Sequence, residues 1–444
     1  MPPELVFAQM SPPPHKKWKK VLAIIIIVVA LLAAPLLLKL PILGRLLDGP
    51  RVEATDLALT AVDVPEAENA YSDLIALEKV QSGPERMATD IFFLDKAWDT
   101  DAATKEVAAH REVLELFAAA AHRQKFQDPV YASGEGLADA PLPQFALWRS
   151  ATRESGLRAL LLAHEGGAAA ALDEAMNAVR LGQKMEDGQG TVVHYNVGAS
   201  MKRTGFDALI RVLEVAHPRG DELRPLIAEL ARYGNNTDML SGAFKVEYQN
   251  VLKRLRQEVL TDEGQPVSPS FYFLPNDTEP LFADATRDLI KEVTLACDTT
   301  PPESERWVPA NEIQLYVTKN ATGRIAASVF SASFATMRAR RCIDEVTYES
   351  VRAILALRAY EADHGALPPT LLTLVPEYLP LVPRDPYDAK ELRYVPQERI
   401  VYSVGADRAD SGGSKAAVLA SRVPGYSKTG DELRKMEDPT FIIP

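Results

Sequence analysis

The stretch 146-ALWRSATRESGLRALLLAHEGGAAAALDEAMNAVRLGQKMEDGQG-190 is the most regular part of the chain and predicts its fold. Its first half has the pattern of one helix, which Gly166 and Gly167 end as C-terminal signals. Its second half has the pattern of a partner helix that stops near Gly188. Small residues recur in the second helix where two helices would approach closely, at Ala171, Ala175 and Ala178. The stretch therefore predicts an antiparallel helix pair.

This pair resembles one unit of the tetratricopeptide class of helical hairpins. The resemblance covers about one repeat, whereas repeat arrays need about three units to be stable. Because further copies do not follow with the same period, an ordinary antiparallel helix pair is the alternative interpretation.

Helical patterns continue on both sides of the pair, so the fold class predicted is mainly α. A segment rich in proline, glycine and serine at 261–280 predicts a loop, whose three aromatic residues at 271–273 would either anchor a partner or pack on the core. The predicted helices outside the pair are 68–80, 104–126, 191–216, 221–233, 238–260, 279–295, 311–339 and 342–363.

The composition of the 444-residue chain is that of an ordinary globular protein, with 47% apolar and 25% charged residues. The formal net charge is −12, and no basic stripe follows the N-terminus. Since nucleic-acid-binding proteins usually carry such a stripe, nucleic acid is not expected as a partner. The two cysteines, Cys297 and Cys342, would form a single disulfide in an oxidising compartment or remain two buried thiols.

The stretch 15-HKKWKKVLAIIIIVVALLAAPLLLKLPILG-44 predicts a membrane anchor. Residues 21–38 contain no charged or polar side chain, and about 20 apolar residues suffice for a spanning helix. We therefore expect one transmembrane helix at 21–43. A cleaved signal peptide is the alternative, which Pro35 disfavours because it would follow the small residues of a cleavage site. The flanking residues that would fix the orientation are Lys16, Lys17, Trp18, Lys19 and Lys20.

By the positive-inside rule, these lysines keep the N-terminus in the cytoplasm and place the bulk of the chain outside it. The expected localisation is the inner membrane of a bacterial cell, single-pass, with the bulk periplasmic. The segments ENAYSDLIAL (68–77) and DGQGTVVHYNVG (187–198) resemble those of bacterial envelope proteins.

A search for catalytic patterns finds no GxSxG, HExxH, phosphate-binding loop or GxGxxG motif. No histidine has a second histidine three or four residues away, the spacing that would favour a zinc site on one helix. His194, among apolar residues, would be a general base or a metal ligand or, alternatively, a hydrogen-bonded core or interface residue. Four carboxylates near the helix pair could form a catalytic pair only if the fold brings them together: Glu154, Glu165, Asp173 and Glu174.

The C-terminal stretch 351–413 predicts a small α+β module. A helix ends at Gly365, residues 385–388 form a turn, and 392–395 and 400–403 form two short strands. The order YEADHGALP, DPYDAKELRY and YSVGADRADSGG resembles the globular part of type II secretion pseudopilins. The resemblance covers about 60 residues, and the pilin processing signal is missing, so filament assembly is not implied.

The resemblance implies a calcium site in the last of these loops. Carried over to this chain, the ligands would be the carboxylates of Asp407 and Asp410 and the carbonyl of Ser403, and hard oxygen ligands suit Ca²⁺. The alternative is a solvated turn. Ca²⁺ is the only cofactor that the sequence suggests.

The expected organisation is a basic tail (1–20), the transmembrane helix (21–43), a stalk (44–66), a helical body (67–340), the pseudopilin-like module (341–415) and a tail (416–444). The function we expect is a non-enzymatic scaffold or protein-interaction module facing the periplasm, with a protein partner. The alternatives are a membrane-anchored hydrolase with a pocket near His194 and an accessory component of a secretion system.

Overall fold

The computed structural model describes residues 23, 40–80, 98–132, 145–234, 237–256, 269–301, 307–416 and 437–444. The chain divides into two compact units, which are described separately. The first comprises Met1–Glu53, Leu255–Phe282 and Arg306–Val329, and the second comprises Ala54–Arg254, Ala283–Glu305 and Phe330–Pro444. Parts of the segments predicted as stalk and loop therefore belong to the first unit.

The described chain is mainly helical, as predicted. Short 3₁₀ helices occur at Thr55–Leu57, Glu66–Glu68 and Leu371–Leu374. The α-helices are α1 Pro41–Leu47, α2 Ala70–Val80, α3 Thr100–Ala109, α4 Arg111–His122, α5 Pro129–Ala132, α6 Phe145–His164, α7 Ala168–Asp187, α8 Val192–Val215, α9 Gly220–Leu230, α10 Thr237–Arg256, α11 Pro275–Thr294, α12 Glu312–Val317, α13 Ala321–Ser333 and α14 Met337–His364.

The predicted helix pair is present as α6 and α7, and α8 packs on both. Gly166 ends the first helix with a φ of 84°, a left-handed conformation that glycine adopts without steric cost. A side chain at Gly182 of α7 would lie 2.5 Å from the carbonyl oxygen of Gly198 on α8. These two backbones therefore touch directly, and the predicted small residues Ala171, Ala175 and Ala178 of the same helix are buried.

The predicted helix at 104–126 is two helices in the structure. The break lies at His110, whose φ of −106° and ψ of 21° are not helical. Alanine-rich sequence favours one continuous helix. However, α3 packs on α6, whereas α4 packs mainly on α2 and also contacts α7 and α6, so the two helices have different sets of neighbours. The predicted helix at 311–339 is likewise divided, into α12, α13 and the start of α14, with Asn320 at a φ of 58° in between.

The C-terminal module contains the predicted long helix and hairpin. Helix α14 ends at Gly365, whose φ is 79°. Strands β1 Arg393–Val395 and β2 Ile400–Tyr402 pair antiparallel. A third strand, β3 Thr440–Ile442, pairs with the other edge of β2.

Strand β3 comes from the segment 416–444, which the sequence analysis assigned to a tail beyond the module. A strand of three residues has too little periodicity to be recognised, and its partner β2 lies far upstream in the sequence. The sheet packs on α14 through Val401, and Ile443 joins the same core as Ile354 and Leu357. Residues 440–443 therefore belong to the module.

The predicted single N-terminal transmembrane helix is not supported, and this part of the predicted fold class is wrong. In the ranges that the structure describes, no helix is both long and apolar enough to span a bilayer. The predicted span at 21–43 lies outside those ranges except for Ala23 and residues 40–43, and the flanking residues 16–20 lie outside them too. Residues 41–43 belong to α1, which begins at Pro41, a residue suited to a first helical turn.

Candidate functional site

Three potential metal ligands meet where α3, α4 and α6 come together. Glu106 lies in the last turn of α3, and His110 lies four residues later, at the break before α4. Glu154 projects from α6, which packs on α3. One ligand atom from each side chain lies within 4.8 Å of the other two.

The cluster is buried on one side and partly open on the other. Nδ1 of His110 lies 3.4 Å from a carboxylate oxygen of Glu106 and 3.9 Å from Oε2 of Glu154. The side chain of Glu154 is 2% exposed, whereas those of His110 and Glu106 are 16% and 22% exposed. His110 Nδ1 and Glu154 Oε2 are buried atoms without a hydrogen-bond partner.

The electrostatics of the cluster favour a positive charge. Burial and, to a smaller extent, the negative charge of Glu106 raise the pKa of Glu154 to about 8, against the lowering effect of Arg153. A buried carboxylate without a partner is costly, so it is stabilised by a proton or a cation. An imidazole and two carboxylates are ligands that divalent transition metals accept.

The region around His194 differs, because this histidine is fully enclosed. Its ring is 1% exposed and contacts the rings of Phe145, Tyr131 and Phe126. The backbone N–H of Thr191 donates to Nδ1, so the proton resides on Nε2, which donates to Asp128 Oδ2 at 3.2 Å. His194 thus closes the N-terminus of α8 as part of a capping box. This geometry is that of a core histidine and gives no support to the hydrolase alternative.

The other carboxylates near the helix pair do not form a catalytic pair. Asp173 pairs with Arg180, and Glu174 accepts hydrogen bonds from Ser155 and Arg158. Glu165 is exposed. Of the four, Glu154 is the one that joins the metal-ligand cluster.

In the C-terminal loop, Ser403 is buried and donates its hydroxyl hydrogen to Asp385, while Asp407 is exposed and accepts from the backbone N–H of Ala409. Asp410 accepts from the hydroxyl of Tyr402 and lies 3.4 Å from the guanidinium of Arg393. Within the described ranges these carboxylates do not form a three-ligand cluster of the kind seen at Glu106. The calcium site therefore stays a prediction.

The two cysteines are bonded to each other in the structure. The sulfur atoms of Cys297 and Cys342 are 2.12 Å apart, and the Cα atoms are 5.7 Å apart. Cys342 lies on α14, and the guanidinium of Arg341 lies against the bridge, 3.2 Å from Sγ of Cys297. The bridge therefore joins the segment after α11 to the helix that carries the C-terminal module.

A groove of about 620 Å³ lies beside α14 in the second unit. Glu349 and Arg352 of α14 line it and form an ion pair. Leu372 and Leu381, which also line it, are exposed apolar side chains.

The cluster of Glu106, His110 and Glu154 was not predicted from the sequence, because the metal-site pattern considered there was two histidines at helical spacing. The available signal was a carboxylate four residues before a histidine, at Glu106 and His110, on a predicted helix. The third ligand, Glu154, was already noted as a carboxylate of the helix pair. Its position beside His110 follows from the packing of α3 on α6, which no local pattern encodes.

Comparisons of the chain with protein-family models, with curated proteins and with solved structures found no match.

Proposed function

We propose that the protein is a non-enzymatic scaffold at the extracytoplasmic surface of a membrane. In this proposal the first compact unit docks on lipid, and the second unit is a disulfide-bonded helical body that presents the C-terminal module. The observation that carries it is the uneven distribution of exposed apolar side chains between the two units.

Nine of the thirteen large apolar side chains that are exposed in the described residues belong to the first unit, the smaller of the two. They are Leu40, Ile42, Leu46, Val52, Val308, Ile313, Tyr316, Val317 and Val329. Such a concentration on one unit is typical of an interaction surface, whereas single exposed apolar residues need no explanation.

Two short helices present five of these nine side chains at helical spacing. Helix α12 buries none of its residues, and its Ile313, Tyr316 and Val317 lie on one face. Ile42 and Leu46 lie four residues apart on α1 and are 71% and 78% exposed. We call these five side chains the apolar face.

A lipid surface is the occupant that the sequence favours. The apolar run 21–38 ends two residues before Leu40, the first exposed apolar residue of the unit, and four lysines precede the run. The ring of Tyr316 has the amphipathic character that suits a membrane interface. Helix α1 has seven residues and is about 10 Å long, so it would lie on the bilayer surface and not span it.

The extracytoplasmic side is supported by the cysteines. A bridge between Cys297 and Cys342 persists in an oxidising compartment and is rare in the cytosol. The non-enzymatic character is supported by the enclosure of His194, the histidine that the sequence singled out as a general base.

The test places a tryptophan on the apolar face and asks whether it enters lipid. Ile313→Trp in the full chain is mixed with vesicles of phosphatidylcholine and phosphatidylglycerol whose acyl chains carry bromine, which quenches tryptophan fluorescence on contact. We expect stronger quenching than in the unsubstituted chain, because residue 313 would lie at the acyl boundary.

Leu381→Trp is the matched control, because Leu381 is as exposed as Ile313, at 75% against 73%, but belongs to the second unit. We expect no added quenching from it. Equal quenching of the two variants, or none in either, would overturn the lipid docking. Because the quenching of each variant is compared with that of the unsubstituted chain, any contribution of the run 21–38 cancels.

A further inference from the structure

We propose that Glu106, His110 and Glu154 bind one divalent transition-metal cation of the zinc class at the junction of α3, α4 and α6. The site does not depend on docking to lipid, and it is separate from the C-terminal loop for which calcium is predicted. Its role would be structural, because the cation would join the break at His110 to the helix pair.

The separations of the ligand atoms fit a shared cation. Zinc binds nitrogen and oxygen ligands at about 2.1 Å, so two ligands at a tetrahedral angle lie roughly 3.4 Å apart. His110 Nδ1 lies 3.4 Å from the oxygen of Glu106 and 3.9 Å from Oε2 of Glu154. Small side-chain rotations would therefore complete the coordination without a change in the helices.

The buried ligand atoms point to an ion rather than to ordinary packing. Buried polar atoms in native proteins nearly always have a hydrogen-bond partner, and each exception calls for an explanation such as an ion. Two such atoms lie near each other here. Neither Nδ1 of His110 nor Oε2 of Glu154 has a hydrogen-bond partner, and they are 3.9 Å apart. Glu154 is 1% exposed, so water in the bulk does not solvate its carboxylate.

The ligand set indicates the class of metal. Calcium and magnesium prefer shells of oxygen ligands, and calcium needs six to eight of them. One imidazole nitrogen with carboxylate oxygens favours zinc, iron, cobalt or nickel. The three side chains leave a coordination position for water on the exposed side, where Glu106 and His110 reach the surface.

The experiment measures zinc binding to the full chain after removal of metals with a chelator. We expect isothermal titration calorimetry to show one Zn²⁺ per chain and differential scanning calorimetry to show a higher melting temperature with Zn²⁺. Glu154→Gln, which keeps the shape and removes the charge, should weaken binding about tenfold or more. Co²⁺ in the same site should give a visible absorption spectrum that Glu154→Gln abolishes.

Two variants serve as controls. His122→Ala removes an exposed histidine at the end of α4 and should leave the affinity unchanged. Asp407→Ala should also leave zinc binding intact while removing any rise in melting temperature caused by Ca²⁺. If Glu154→Gln binds zinc as tightly as the unsubstituted chain, or if His122→Ala alone loses binding, the proposed site is wrong. Absence of stoichiometric zinc binding to the unsubstituted chain would have the same consequence.

Discussion

The histidine–carboxylate pairs at His194 and His110 have the same chemistry, but only the pair at His194 has all its polar atoms hydrogen-bonded. At His194 both ring nitrogens have a hydrogen-bond partner, Thr191 and Asp128, and aromatic rings exclude water. At His110 the ring nitrogen that faces Glu154 has none, and neither has the oxygen of Glu154 that faces it.

The comparison shows that burial alone does not identify a functional histidine. A fully satisfied buried polar pair rigidifies the core and resists change. A buried pair that lacks partners costs free energy and persists where something else, such as an ion, supplies the missing interaction. His194 looked functional in the sequence because apolar residues surround it, yet the unsatisfied pair is elsewhere.

The largest effect that we expect comes from breaking the satisfied pair. His194→Leu leaves the carboxylate of Asp128 buried without its donor and removes the cap of α8. The free energy of unfolding should fall by about 3–5 kcal/mol, the usual cost of removing one partner from a buried pair. Urea denaturation followed by circular dichroism measures it, and a loss below about 1 kcal/mol would show that the pair is not a structural element.

A smaller effect is expected at Glu186, a carboxylate that is as deeply buried as Glu154 but has a cationic partner. Lys202 donates to it at 2.8 Å, yet burial dominates and raises the pKa of Glu186 to about 7. The folded state therefore binds more protons than the unfolded state between pH 4.5 and 7. Stability should fall over this interval as the pH rises, by on the order of 2 kcal/mol.

Glu186→Gln removes the titrating group, so its stability should change less between pH 4.5 and pH 7 than that of the unsubstituted chain. The difference between the two urea-denaturation series isolates this residue from other titrating groups. Parallel series would contradict the assignment. A difference of the expected sign would show that the cationic partner of Glu186 offsets only part of the cost of burying its carboxylate.

The smallest effect is expected from Glu154→Leu in metal-free protein. Removing a buried carboxylate oxygen that has no partner also removes its desolvation cost. The free energy of unfolding should stay within about 1 kcal/mol of the original value or rise. Urea denaturation at neutral pH measures this free energy. A decrease as large as that caused by His194→Leu would show that the two sites do not differ in the way proposed.

Local signals were sufficient for much of the helical fold. Gly166 and Gly365 end helices where the sequence predicts, because the left-handed conformation at a helix end is one that glycine adopts readily. The small residues Ala171, Ala175 and Ala178 of α7 are buried, as expected for a helix that packs on its neighbours. These features depend on neighbours in the sequence, so a local pattern contains them.

Features that depend on distant contacts were not predictable in this way. The break at His110 accompanies a change of neighbours, because α4 packs on α2 and α7 as well as on α6, the helix on which α3 packs, while the alanine-rich sequence favours continuity. Strand β3 is defined by its pairing with β2. The metal-ligand cluster combines both difficulties, since it needs the break at His110 and the approach of Glu154 from α6.

The pairing of β3 with β2 also sets an order of assembly for the sheet. Strand β1 ends at Val395 and β2 begins at Ile400, whereas β3 begins only at Thr440. Closing the longer connection costs about 2 kcal/mol more chain entropy than closing the hairpin, since the cost grows with the logarithm of loop length. We therefore expect the hairpin to form first, so that one edge of β2 exposes unpaired backbone groups to other chains until β3 pairs with it.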